Sequence, residues 1–88
     1  MINLQETLLD VAKAIVDNPD EVKVAQVEDE KVITLTLTVA PDDMGMVIGR
    51  HGKIAKAIRT VMKAAAVIAD VHVRVDILDQ DEMNTEEN

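Results

Sequence analysis

The stretch "VIGRHGKIAKAIR", Val47 to Arg59, decides how this chain is read. Gly49 and Gly52 enclose Arg50 and His51. Apolar Val47 and Ile48 come before, and Lys53, Lys56 and Arg59 recur at helical spacing after. A lone glycine between helical segments is normally a helix stop. A second glycine three residues on exceeds that need, because each one costs conformational entropy on folding. What the pair adds is access, since a main chain without Cβ atoms lets a phosphodiester come close. Amide N–H groups at the start of the next helix then face the phosphate oxygens, helped by the helix dipole and by Lys53.

The charge pattern points the same way. The chain carries a formal −8, which alone argues against a polyanionic partner. Between Met44 and Ala69, however, there is no acid, while Arg50, Lys53, Lys56, Arg59 and Lys63 supply five of the nine basic residues. A basic stripe therefore lies within an acidic body.

Working outward, "APDD" at Ala40 to Asp43 predicts the start of a short helix, with Pro41 in the first turn and the aspartates at its positive end. A second helix follows Gly52, with Ile54, Ile58, Val61, Met62 and Ala65 as its buried stripe. Upstream, Leu4, Leu8, Val11 and Ile15 predict a first helix over roughly Asn3 to Asp17, ended by Pro19. Glu21–Val27 and Val32–Val39 predict a hairpin around the polar turn "EDEK". The change of parity between Val24 and Val27 allows a bulge in its first strand. Val71, Val73, Val75 and Ile77 alternate with polar residues as a last strand, whose direction the pattern leaves open. The order is helix, strand, strand, helix, helix, strand. It predicts an α+β domain whose helices cover one face of a three-stranded sheet.

With 88 residues there is room for one modest core. Cysteine is absent, so no disulfide or thiolate metal site reinforces it, and two isolated histidines make a poor metal site; no cofactor is expected. Aromatic residues are absent too, which removes base stacking as a route to nucleic-acid binding. No nucleophile is paired with a base, and Asp42 and Asp43 are explained by the helix start, so an enzyme is not expected. No apolar segment approaches a membrane span, and "MINLQETLLD" lacks the basic and greasy halves of a leader, so the chain reads as cytoplasmic. A helix-turn-helix DNA reader shares the short loop and basic helix, but its first helix would be too short here and the strands would have no role. "AIRTVMKAAAVIA" is apolar on more faces than one-sided packing requires, which keeps a protein-assembly module as the alternative reading.

Taken together, "APDDMGMVIGRHGKIAKAIRTVMKAAA" and the element order resemble the KH domain in its type II form, and more narrowly the small bacterial single-KH proteins of the KhpA (YlqC) family. The likeness runs from about Leu4 to Leu78, giving a KH domain over 1–78; beyond it "DQDEMNTEEN" is polar, acidic and without apolar period, which predicts a disordered tail over 79–88. The resemblance implies binding of single-stranded RNA by a GXXG loop that clamps the backbone of about four nucleotides. On this chain the site is Gly49, Arg50, His51, Gly52, Lys53, Lys56 and Arg59, with Val47, Ile48 and Ile54 as the apolar groove. The resemblance also implies a homodimer, pairing with a KhpB (Jag/EloR) type protein, and a link to post-transcriptional control and cell elongation. Two positions depart from the family pattern: Met46, where a basic residue is common, and Ala55, where KH domains often carry isoleucine, which implies a shallower groove floor.

Overall fold

Asn3 opens the first helix. Its side-chain oxygen accepts the Glu6 amide at 3.0 Å and its carbonyl accepts both the Thr7 amide and hydroxyl at 2.9 Å, so the cap satisfies amides that the first turn leaves without partners. The computed structural model describes residues 3–79, with all side chains except those of Arg50 and Asp79. Of the acidic stretch read as a tail over 79–88, Asp79 instead ends the last strand, paired beside Val39, and residues 80–88 lie outside the described residues. Helix α1 (Leu4–Ile15) buries Leu4, Leu8 and Ala12, while Val11 and Ile15 are only half-buried. The fully buried row thus runs Leu4, Leu8, Ala12 at a spacing of four, with the larger Val11 and Ile15 at its margin.

The helix ends before Asp17, and a 3₁₀ turn (Pro19–Glu21) takes up Glu21, the first residue of the strand expected over Glu21–Val27. Strand β1 (Lys23–Asp29) then runs antiparallel to β2 (Val32–Val39) in an unbroken register from Lys23 opposite Thr38 to Asp29 opposite Val32. The bulge that the change of parity allowed is therefore absent. Val27 lies on the outer face, 64% exposed, and the turn is only Glu30 and Lys31, with Glu30 at φ 55°. Strand β3 (His72–Asp79) pairs parallel to β2, from Val32 beside His72 to Val39 beside Asp79, so the sheet order is β1-β2-β3. Both β1 and β3 are edges.

Between β2 and β3 runs the helical stretch α2 (Pro41–Ala69). His51 at φ 66° and Gly52 at φ 68° break it, because consecutive left-handed residues cannot continue a right-handed helix. Unbroken, its 29 residues would extend about 44 Å, well beyond the molecule's 34 Å longest principal axis. It has a short arm, residues 41–50, and a long arm, residues 53–69, as the two-helix expectation required. The long arm closes on Asp70 at φ 61°, where the Asp70 amide donates to Val67 and the Val71 amide to Ala66. This double closure satisfies the last carbonyls and turns the chain into β3.

One face of the sheet, Ile33, Leu35, Leu37, Val39, Val75 and Ile77, packs against Leu8 and Ala12 of α1 and Val47, Ile58 and Met62 of α2. The other face carries Thr34 and Thr36 beside exposed Val27, Val32 and Arg74. Helices therefore cover one face, as expected.

Asp43, 2% exposed, ties the elements together. Its carboxylate accepts the amides of Asp17 at 3.2 Å and Asn18 at 3.1 Å, and the Asn18 side-chain amide at 3.2 Å. The start of α2 is thereby fixed to the end of α1, and with it the position from which the short arm projects its loop.

Candidate nucleic-acid interface

The two glycines of "GRHG" differ. Gly52 is needed for its backbone, since φ 68° strains any side chain. Gly49 has no such requirement, and a Cβ built on it meets no described atom within 4 Å. Neither its conformation nor the packing of the described residues around it demands glycine. The notch is open, because the chain's own described residues leave it unfilled. His51, exposed, holds a left-handed conformation that histidine visits more readily than most residues do. At Arg50 only the backbone is described, as the last residue before the break.

From the loop, Lys53, Lys56 and Arg59 continue along one exposed face of the long arm, and Lys63 follows one turn on. Arg59 does more than add charge. Its Nε–H donates to the Val75 carbonyl oxygen at 3.2 Å, fixing the basic face against the free edge of β3. An open groove lies there, lined by Arg59, Lys63, Val73, Arg74, Val75 and Asp76. Arg74 carries a 3.4 Å contact to Asp76 on an exposed surface, where an ion pair adds little stability. The basic track therefore runs from the glycine loop to the β3 edge, along one side of the molecule.

The apolar positions separate. Ile48 is 45% exposed and stands beside the loop, and Ile54 is half-buried against the core. Val47 is 1% exposed, so it cannot touch a ligand and instead anchors the short arm inside the core. Ala55 is also in the core, so its small size affects packing beneath the helix and not the depth of a surface groove. Met46 is partly exposed on the short arm. Lys63 and Arg74 were absent from the sequence-based site. Lys63 continues the 53–56–59 spacing and was legible from that period, whereas Arg74 reaches the groove only because β3 is an edge strand beside the long arm.

A third face of the long arm, turned away from the core and beside the basic one, exposes Ala57, Val61, Ala64, Val67 and Ile68. Among the described residues there is no group of His, Asp or Glu able to hold a metal ion, and no helix long and apolar enough to cross a membrane.

Comparison with known proteins agrees with this architecture. Residues 5–77 match the family model described as KhpA/KhpB, KH domain. A protein of Clostridium acetobutylicum named RNA-binding protein KhpA is 55% identical over 75 residues, covering 85% of this chain and all of the relative. Proteins of the same name from Caldanaerobacter subterraneus and Streptomyces coelicolor are 49% and 47% identical, covering 83% and 89% of this chain and 97% and 95% of theirs. The α+β fold, with its break at His51 and Gly52, is a single KH domain, a binding module and not an enzyme. The chain belongs to the KhpA/KhpB KH-domain family.

Proposed function

We propose that this chain binds single-stranded RNA by gripping its sugar–phosphate backbone at the Gly49–Gly52 loop. The observation that carries the reading is the unfilled space at Gly49, a glycine that the fold itself does not need. The relatives, each named RNA-binding protein KhpA, support the choice of RNA. In this reading Gly49 and Gly52 admit the backbone, Arg50, His51 and Lys53 contact phosphate, and Lys56 and Arg59 extend the track. Ile48 and the exposed part of Ile54 offer the apolar surface on which a base rests. With no aromatic side chain to stack on, binding is weak and poorly selective. The place of action is the cytoplasm, in post-transcriptional control linked to cell elongation.

Replacing Arg50 and His51 together with aspartate tests this. RNA captured by crosslinking in cells, and the affinity for a short RNA oligomer in vitro, should both fall while the unfolding midpoint is retained. Unchanged RNA association in a folded variant would overturn the reading.

The apolar face of the long arm supports assembly as a second activity, through Val61, Val67 and Ile68. Pairing there, with a second copy or a KhpB-type partner, places two loops in one particle and raises avidity without new RNA contacts. An assembly module whose RNA is held mainly by the partner is the rival form of this reading. The loop variant separates the two, because it should leave pairing intact.

A further inference from the structure

We propose that the basic face of α2 has an intramolecular ligand, residues 80–88 of the same chain, whose carboxylates engage Lys53, Lys56, Arg59 and Lys63 and compete there with RNA.

Three observations converge. The stretch "QDEMNTEEN" holds Asp81, Glu82, Glu86 and Glu87 and no basic residue, whereas residues 44–69 hold five basic residues and no acid. The two most one-sided charge runs of the chain are thus of opposite sign. Second, the fold delivers one to the other. The long arm turns at Asp70 straight into β3, so helix and strand run in opposite directions, and the Arg59–Val75 bond sets their register. Lys53 lies six residues before Arg59, about 9 Å along the helix. Residue 79 lies four beyond Val75, about 13 Å along the strand in the same direction. The chain therefore leaves β3 at the end where Lys53 and the glycine loop stand. Nine further residues reach about 30 Å, twice the roughly 15 Å from Lys53 to Lys63. Third, the stretch is an addition to the shared domain. The family match ends at residue 77, and the Clostridium acetobutylicum relative matches over its whole length with only 75 residues of this chain.

A tethered acidic segment acts at an effective concentration in the millimolar range, so even a weak contact competes with a weak RNA ligand. RNA that offers several phosphates in register with the track displaces it, while short or poorly placed contacts do not. The segment would raise the threshold for binding without altering the loop.

The competition rests on the RNA reading, but the docking does not, and one experiment keeps them apart. The full-length protein is compared with its D81N/E82Q/E86Q/E87Q variant by amide NMR without RNA, in low salt and in 1 M NaCl, and then titrated with a short RNA oligomer. Docking predicts different amide positions for Lys53, Lys56, Arg59 and Lys63 in the two proteins at low salt, converging in 1 M NaCl where charge is screened within about 3 Å. RNA affinity of the variant should rise by about three- to tenfold. A second full-length variant, D10N/D20N/E28Q/E30Q, removes the same charge from exposed positions elsewhere and should reproduce neither effect. Superimposable stripe resonances at low salt, or an equal gain in the second variant, would overturn the proposal. If neither protein binds the oligomer while the stripe shifts persist, the RNA reading fails and the docking stands.

Discussion

The Nε–H of Arg59 donates to the carbonyl oxygen of Val75 at 3.2 Å, joining the basic face of the long arm to the open edge of β3. One residue thus takes part in two tasks: it aligns helix and strand, and it contributes charge to the track. Substitution separates them. Arg59→Lys keeps the charge but loses the planar donor, so urea unfolding should show a loss of about 0.5–1 kcal/mol with the salt dependence of RNA binding preserved. Arg59→Ala should lose both. With three or four phosphates neutralised, log affinity falls with log salt at a slope of roughly −2 to −3, and this variant should bring the slope about one unit closer to zero. An unaltered slope would remove Arg59 from the track.

Asp43 bears on stability and not on binding. Its carboxylate accepts three N–H groups from Asp17 and Asn18 in a buried position. Asparagine offers a single carbonyl oxygen and turns an NH₂ toward donors, leaving buried polar groups unpaired. Asp43→Asn should lower stability by about 2 kcal/mol, read as a lower urea midpoint at constant slope. RNA affinity of the folded fraction should be unchanged. A wild-type midpoint would mean that the junction of α1 and α2 does not need this carboxylate.

Val61 addresses assembly. It is 45% exposed in the middle of the apolar face, so Val61→Lys is accommodated by the monomer but places a charge between packed partners. Sedimentation equilibrium should show the wild-type chain as a dimer and the variant as a folded monomer, with RNA affinity reduced through lost avidity. A variant of undiminished mass would place any pairing elsewhere.

These features were unequally legible in the amino-acid order. Strand β2 was readable to its ends, because threonine alternates with large aliphatic residues over Val32–Val39 and a half-buried strand has no other period. The first helix and its core residues Leu4 and Leu8 were legible, and Val11 and Ile15 do pack partly buried against the core, but Ala12 was missed. Ala12 is small and gives little signal in a hydrophobic pattern, yet it lies closer to the core than Val11 or Ile15. The parity of Val27 is compatible with a bulge or with an outward side chain, and an edge strand with an uncovered outer face leaves it exposed there. Local pattern could not give the direction of β3, which is fixed by how the long arm folds back. For that reason Arg74 was not foreseen in the groove. Gly49 and Gly52 were legible as a pair from spacing, but only the backbone shows that they are glycine for different reasons, one for its φ and one for the space beside it.

That difference provides the sharpest test of the RNA reading, the Gly49→Ala variant measured for stability and RNA affinity together. Its new methyl group meets no described atom within 4 Å, and alanine favours a helix, so the fold should be unaffected or steadier by about 0.5–1 kcal/mol. RNA affinity should fall on the order of tenfold, the loss of about one charge-assisted backbone contact. Gly45→Ala, in the same arm and equally free of neighbours, should gain the stability and keep the affinity. A Gly49→Ala protein that binds RNA as tightly as the wild type would contradict the claim that the bare backbone of this loop seats the phosphate chain.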